Sequence, residues 1–310
     1  MFRDITRFLR LIRLPNLLVV ILTQVLVYYR VFLPAYESVG LKPIVNEWRF
    51  SHLVLVTLAI SASGFIINDL RDAKVDELNR PGTNPVPALG RDLVQWLYAL
   101  SILGGFLLSL IVAFRLNELA YLWLYPTSVG LLALYSWKLK GLPLVGNLVI
   151  GLYCASVPGI IGLAERVGLG RLRRQDPETA LTVWRTLLIF MLFAFLATWL
   201  RELVKDLEDR EGDRKVKLRT FPILYGVKAT RWLAYLIAII TALALAAPIF
   251  LEWPSYQSRF VQSYLGFLIA CLAIIVWFFS RANSSKDWHK LSTVLKLYLL
   301  LGLGLLASFW

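Results

Sequence analysis

The sequence predicts an all-α fold, a polytopic membrane bundle of nine transmembrane helices. Of its 310 residues, 58% are hydrophobic, whereas soluble domains are about 45–50% apolar. Several apolar runs reach the roughly 20 residues that a helix needs to cross a bilayer. These runs do not alternate between polar and apolar residues as the strands of a membrane β-barrel do. The composition therefore excludes an ordinary soluble domain and a β-barrel.

The nine predicted spans are the apolar runs that lie between clusters of charged residues. They are expected near residues 14–35, 50–70, 93–114, 118–137, 142–164, 182–203, 229–251, 260–280 and 291–310. Five prolines are expected to start or kink these helices: Pro15, Pro126, Pro143, Pro158 and Pro248. The chain is predicted to form a single domain over residues 1–310.

The charged residues predict how the chain lies in the membrane. Arg3, Arg7, Arg10 and Arg13 are spaced three or four apart, so they share one face of a helix that is expected to lie on an anionic membrane surface. A transit peptide is the alternative interpretation. Basic residues follow the even-numbered spans more often than the odd-numbered ones, which predicts a cytoplasmic N-terminus in the cell membrane. The net charge of +13 favours anionic lipid or an anionic substrate over nucleic acid, and no protein partner is evident.

Cysteine and histidine are too few and too scattered to indicate a disulfide, zinc or haem site. Cys154 and Cys271 lie within apolar runs, where a free cysteine is expected to pack as a small hydrophobic side chain. His52 and His289 are isolated in the sequence, which leaves a histidine-based metal site without support.

Two distant stretches of the chain carry the same acidic pattern. They read "NDLRDAKVD" and "KDLEDREGD". The aspartates are Asp69, Asp72 and Asp76 in the first stretch, and Asp206, Asp209 and Asp213 in the second. Offsets of 0, 3 and 7 put each set on one helical stripe, and Asn68, Asp72 and Asp76 form an alternative stripe. Both stretches follow even-numbered spans, so they are expected at the cytoplasmic mouth of the bundle.

Like charges at these spacings repel each other and destabilise a helix. A cation between them would remove that cost, and Mg²⁺ prefers hard oxygen ligands, commonly one or two carboxylates together with substrate phosphates. The paired motifs therefore predict a site for magnesium and a phosphate group. The alternative is that they are solvated loop charges, balanced by nearby lysines and arginines such as Arg71 and Lys205.

These motifs resemble those of the intramembrane prenyltransferase (UbiA) superfamily. "NDLRDAKVD" resembles its N-D-x-x-D-x-x-x-D motif, and "DLEDREGD" resembles its second, D-x-x-D-x-x-x-D-type motif. The likeness extends to "ELNRP" after the first motif, to the tyrosine- and lysine-containing loop "YSWKLKGLPLVGN", and to "RTFPILYG" after the second motif. The chain is identified on these segments as a member of the superfamily.

The resemblance implies a nine-helix bundle around a central cavity that opens to lipid. It also implies an enzyme that transfers a prenyl group from an isoprenoid diphosphate to a lipophilic acceptor, with Mg²⁺ as cofactor. Asn68, Asp72 and Asp76 would serve one half of the metal site. The other half would comprise Asp206, Asp209 and Asp213. The catalytic aspartates would be Asp72, Asp76, Asp209 and Asp213, while Asp69 is expected to face away from the metal and to cap or anchor the loop.

The chemistry that the resemblance implies needs positive charge, because an allylic C–O bond ionises when its diphosphate leaving group is neutralised. By the same resemblance, the residues expected to bind the diphosphate are Tyr135, Lys140, Arg80, Arg13 and Asn16. A topological role under the positive-inside rule is the alternative for each basic residue among them.

The segment "RELVKDLEDREGDRK" most resembles the digeranylgeranylglyceryl phosphate synthase branch of the superfamily. That likeness implies ether-lipid synthesis, in which a geranylgeranyl group is transferred to the free hydroxyl of geranylgeranylglyceryl phosphate. One departure follows the first motif, where Asn84 in "GTNPVPALG" stands in the place that is basic in many members. A contact is therefore expected to be missing there, or to be supplied by Arg91.

Two other functions remain open from the sequence. An aromatic-ring prenyltransferase of quinone or pigment synthesis would use a ring carbon as the nucleophile and a carboxylate as the proton acceptor. A cation-coupled transporter would bind cations at the acidic mouth, although ionisable residues in transporters are expected within the spans rather than at their ends.

Overall fold

The computed structural model describes residues 2–79 and 81–307, with the backbone alone for residues 2, 3, 78 and 79. Over these residues the chain folds into helices joined by turns and short irregular segments, and it contains no β-strand. The α-helices are α1 (Phe2–Leu11), α2 (Leu14–Val27), α3 (Leu33–Glu37), α4 (Glu47–Asn79), α5 (Val86–Leu89), α6 (Arg91–Leu116), α7 (Leu124–Trp137), α8 (Val145–Ala164), α9 (Arg166–Gln175), α10 (Pro177–Lys215), α11 (Phe221–Phe250), α12 (Arg259–Arg281) and α13 (Ser285–Leu306). A π-helical turn, Tyr28–Phe32, joins α2 to α3.

Eight helical segments of the described chain are long and apolar enough to cross a membrane. They are Leu14–Glu37, Glu47–Glu77, Arg91–Leu116, Val145–Ala164, Pro177–Lys215, Phe221–Phe250, Arg259–Arg281 and Ser285–Leu306. The prediction of an all-α, multi-pass integral membrane protein is confirmed. The predicted fourth span is also helical, but it is divided between a 3₁₀ segment, Leu119–Trp123, and α7. At 1.5 Å per residue, α7 is only about 21 Å long, so the predicted count of nine is approximate.

The helices form two compact units, the first comprising Met1–Leu22 and Val45–Gly141, and the second Thr23–Ile44 and Leu142–Trp310. In the first unit α4 packs against both α6 and α7. A close approach at Gly105 allows this packing, because the Tyr125 hydroxyl lies where a Cβ at this position would be. That hydroxyl donates a hydrogen bond to the carbonyl oxygen of Ser101 at 3.1 Å.

In the second unit α10 is the central helix, and it packs against α8, α11 and α13. Its N-terminus is capped by Asp176, whose carboxylate accepts from the backbone N–H of Thr179 at 3.1 Å. The hydrogen bonds from Thr179 lower the pKa of Asp176. Helix α13 begins with a capping box formed by Ser284 and Asp287. Helix α11 is interrupted at Gly226, where φ is 80°.

Replacing Gly302 by alanine is expected to lower the free energy of unfolding by about 1–3 kcal/mol. An alanine Cβ would overlap the ring of Phe193, which cannot shift freely because it packs against Tyr298 with ring centroids 5.4 Å apart. The measurement is the thermal unfolding midpoint in detergent. Gly266→Ala is the matched control, because a Cβ there has no neighbour within 4 Å. Equal midpoints for both variants would contradict the expectation.

Candidate active site

The first acidic motif lies in the last three turns of α4. Leu70 within the motif, and Ile66 one turn earlier, are buried in an apolar cluster with Leu11, Val86 and Val94. This cluster joins α4 to α1, α5 and α6. It therefore sets the direction in which the polar side chains of the motif point.

Asp69 is buried and binds Arg13. The distance from Arg13 Nη2 to Asp69 Oδ1 is 2.8 Å, and the guanidinium also lies 5.0 Å from the centre of the Phe65 ring. Arg13 stands between α1 and α2 with a left-handed φ of 50°. Asp69 thus connects α4 to the turn between α1 and α2. The prediction for Asp69 was that it faces away from the metal and caps or anchors the loop. Arg13, a predicted diphosphate contact, is already engaged by this ion pair.

Asp72 forms an ion pair with Lys140, and both side chains are largely buried. Lys140 lies in the 3₁₀ turn Leu139–Gly141 that follows α7. Tyr135 is half-buried in α7, five residues before Lys140. The structure therefore brings the first motif together with the tyrosine–lysine loop, as the family resemblance implied. Among the other predicted diphosphate contacts, Asn16 is half-buried in the first turn of α2, and Arg80 lies outside the described residues.

Asp76 accepts a hydrogen bond from Asn84, with Nδ2 and Oδ2 2.8 Å apart. The position that departs from the family pattern is therefore occupied by a side chain that binds the motif itself. Arg91, the predicted substitute, is exposed in the first turn of α6. Asn68 is half-buried on α4, one turn before Asp72.

The second acidic motif lies near the end of α10. Asp206 accepts a hydrogen bond from Nδ2 of Asn147 at 2.9 Å, Asp209 is half-buried, and Asp213 is buried. Asn147 stands in the first turn of α8, within the quoted segment "YSWKLKGLPLVGN". Its role was missed because no local spacing links it to Asp206.

Glu202 was also missed. It lies four residues before Asp206 on the same face of α10, and it binds Arg201 at 2.7 Å and Lys205 at 3.6 Å. Residues 202, 206, 209 and 213 are spaced four, three and four apart, so they share one helical face. This spacing could have identified Glu202 from the sequence. Glu202 extends the acidic stripe of α10 by one turn, next to two cations.

His289 is not isolated in the folded chain. Its Nδ1 lies 2.8 Å from Oε1 of Glu208, and the hydroxyl of Ser285 donates to the Glu208 carbonyl oxygen at 3.3 Å. These contacts join the start of α13 to α10 beside the second motif. His289, which has no neighbouring histidine or cysteine in the sequence, thus contacts the second motif's helix through Glu208.

The motif residues have the chemistry of a magnesium site. The donor set is made of carboxylates and amides, the hard oxygen ligands that Mg²⁺ prefers. Over residues 2–79 and 81–307, no three potential ligands among Asp, Glu, His and Cys converge on one point. Instead, Asp72 binds Lys140, Asp76 binds Asn84 and Asp206 binds Asn147. Each of these three carboxylates is therefore paired with an ammonium or amide N–H group from another segment of its own compact unit.

Comparison with known proteins agrees with the fold. The model of the UbiA prenyltransferase family matches residues 31–300. The digeranylgeranylglyceryl phosphate synthase of Methanopyrus kandleri is 36% identical over 250 residues, which cover 80% of this chain and 83% of that relative. A solved structure of a digeranylgeranylglyceryl phosphate synthase in membranes has a TM-score of 0.68 at 22% identity, covering 98% of this chain and 97% of that one.

A UbiA homologue from Archaeoglobus fulgidus, solved with bound DMAPP and Mg²⁺, has a TM-score of 0.54 at 19% identity. The alignment covers 97% of this chain and 99% of the homologue. At these identities the solved structures support the fold alone, whereas the family model and the curated relative extend over most of the sequence. The chain therefore belongs to the UbiA prenyltransferase family and is a prenyltransferase.

Proposed function

We propose that this enzyme transfers a geranylgeranyl group from its diphosphate to the free hydroxyl of geranylgeranylglyceryl phosphate. The observation that carries the proposal is the 36% identity to a digeranylgeranylglyceryl phosphate synthase over four-fifths of the chain. The reaction forms an ether bond to the lipid acceptor and releases diphosphate. The partners are thus a prenyl diphosphate donor, a lipid acceptor and the bilayer.

The two acidic motifs are the proposed metal ligands. Asn68, Asp72 and Asp76 are the set on α4. The set on α10 comprises Asp206, Asp209 and Asp213. Bound Mg²⁺ would neutralise charge on the diphosphate as it leaves, which lowers the barrier to ionisation of the allylic C–O bond. The bound DMAPP and Mg²⁺ of the Archaeoglobus fulgidus homologue support this role.

Lys140 is the proposed contact for the diphosphate. Its ammonium group binds Asp72 in the present structure, so it lies beside a proposed metal ligand. When Asp72 serves a metal ion instead, the ammonium group can turn to an oxygen of the leaving group. Tyr135, Arg80, Arg13 and Asn16 are the remaining proposed contacts. Arg13 would contribute only by sharing its charge between Asp69 and the diphosphate.

Replacing Lys140 by methionine is expected to raise the KM for the prenyl diphosphate about 10- to 100-fold, the equivalent of one hydrogen bond to a charged group. Methionine keeps an unbranched side chain of nearly the same length and removes the charge. The measurement is initial rates at varied donor and fixed acceptor. Lys138→Met is the control, because Lys138 is exposed two residues away. An unchanged KM in Lys140→Met would exclude this role.

The acceptor phosphate is the proposed ligand of the basic residues around the second motif. Arg201 and Lys205 lie one turn apart on α10 and share the Glu202 carboxylate. More basic residues continue toward the end of α10 and the loop after it: Arg210, Arg214, Lys215, Lys217 and Arg219. Because Arg and Lys are common ligands of phosphate groups, this density supports a phosphate-bearing acceptor over a neutral one.

We further propose that the N-terminus and both acidic motifs face the cytoplasm, and that residues 1–310 act as one catalytic domain in the cell membrane. The excess of basic residues after the even-numbered predicted spans supports the orientation. The family match, which runs through residues 31–300 without a break, supports a single domain.

A product assay tests the proposed function. Protein purified in detergent would receive labelled geranylgeranyl diphosphate with Mg²⁺, and with geranylgeranylglyceryl phosphate, 4-hydroxybenzoate or a dihydroxynaphthoate in separate reactions. The expected product is the diether, and EDTA is expected to abolish its formation. If product forms only with an aromatic acceptor, the enzyme is still a prenyltransferase of this family, but its acceptor is aromatic and the proposed lipid acceptor is wrong. No transfer to any of these acceptors would contradict the proposal.

A further inference from the structure

We propose that Asn84 is a positioning residue for the metal ligand Asp76, an inference that rests on the proposed function. Asn84 lies between α4 and α5, in the loop where the family pattern predicts a basic residue. Its side chain is only 8% exposed. A polar side chain that is buried to this degree needs hydrogen-bond partners, and the partners identify its role.

The side-chain amide of Asn84 makes three hydrogen bonds. Nδ2 donates to Asp76 Oδ2 at 2.8 Å and to the carbonyl oxygen of Asp69 at 2.9 Å, and Oδ1 accepts from the backbone N–H of Val86 at 2.9 Å. Both hydrogens of the amide are thus used. The opposite orientation of the amide would place its oxygen against two acceptors, so the partners determine which way the group points.

These bonds connect the motif to the loop that follows it. The bonds to Asp69 and Val86 fix the Asn84 side chain to the end of α4 and to the start of α5. With its amide fixed, Asn84 can direct one oxygen of the Asp76 carboxylate. Outer partners of this kind typically change metal affinity 10- to 100-fold, because they orient the ligand.

The charge of the donor matters as much as its position. An arginine or lysine would form an ion pair with Asp76 and offset its negative charge. An amide orients the carboxylate and leaves that charge available to a cation. At this position the chain thus gives Asp76 a neutral hydrogen-bond donor. Asn147 and Asp206 form the same kind of pair on α8 and α10, at 2.9 Å.

The test compares Asn84→Asp with Asn46→Asp. Both variants add one negative charge to the same unit, but Asn46 is exposed at the opposite end of α4, where its Oδ1 accepts from the backbone N–H of Arg49 at 2.9 Å. Aspartate at position 84 keeps the acceptor for Val86 and loses both donors. The readouts are Mn²⁺ binding by electron paramagnetic resonance, the Mg²⁺ concentration for half-maximal activity, and the thermal midpoint. Asn84→Ala repeats the test without added charge and serves if Asn84→Asp does not fold.

Asn84→Asp is expected to weaken Mn²⁺ binding about 10- to 100-fold and to raise the Mg²⁺ requirement by a similar factor. Its kcat at saturating Mg²⁺ is expected to stay within a few-fold of the parent value, and Asn46→Asp should match the parent. Unchanged Mn²⁺ affinity in Asn84→Asp, or a loss of kcat that Mg²⁺ does not restore, would overturn the inference about Asn84 and leave the proposed function intact. A parent protein that binds no Mn²⁺ and transfers no prenyl group would overturn the proposed function, and the inference with it.

Discussion

Replacing Asp72 by asparagine is expected to reduce prenyl transfer on the order of 100- to 1,000-fold, the usual cost of removing one electrostatic stabiliser of a developing charge. Asparagine keeps the size and shape of the side chain, but it removes the negative charge that would bind Mg²⁺. It also removes the ion pair with Lys140, whose ammonium group can then reach water or the diphosphate. The measurement is kcat and KM for the prenyl diphosphate at several Mg²⁺ concentrations.

Asp92→Asn is the matched control for Asp72→Asn. Asp92 is an exposed carboxylate in the first turn of α6, in the same compact unit, and it has no place in the proposed site. Its variant is expected to retain the parent activity, and both variants should keep the parent thermal midpoint within a few degrees. If Asp72→Asn keeps activity close to that of the parent, the first motif is not part of the metal site.

Replacing Asp209 by asparagine is expected to cause a loss of similar size, because the second motif would supply the same kind of ligand. Asp209 is half-buried on α10, one turn after Asp206. Glu211→Gln is the control, since Glu211 is exposed on the same helix and lies off the acidic stripe. The measurement is again kcat, together with Mn²⁺ binding in the parent and in the variant.

The double variant Asp72→Asn/Asp209→Asn tests whether the two motifs act in one chemical step. Residues that act as a unit have strongly non-additive effects, so the double variant is expected to be little worse than either single variant. Losses that multiply would show that the motifs contribute independently. A single variant with full activity would contradict the requirement for both motifs.

The proposed metal ligands could be selected from the sequence because their pattern is local. Offsets of three, four and seven residues place side chains on one face of any α-helix, and α4 and α10 are helical through both motifs. The same local rule places Glu202 on the stripe of the second motif, one turn before Asp206. The spans were predictable for a similar reason, since a helix in lipid must be apolar along its whole length.

The partners of these residues could not be predicted, because they come from distant segments. Asp69 and Arg13 are 56 positions apart in the sequence, and Asn147 and Asp206 are 59 positions apart. Nothing in the local pattern distinguishes Arg13 as a partner for Asp69 rather than for a diphosphate. The left-handed φ of Arg13 and the packing of α4 on its neighbours decide that contact.

The sequence by itself determined the class of fold, the family and the helical position of the two acidic motifs, because hydrophobicity and helical periodicity act over a few residues at a time. Only the tertiary structure decided that α7 is too short for a full span, that Lys140 binds Asp72, and that Asn84 orients Asp76 instead of leaving a gap. Each of these depends on where separate segments meet. A side chain finds its partner only after the helices have packed, and that packing is set by contacts along the whole chain.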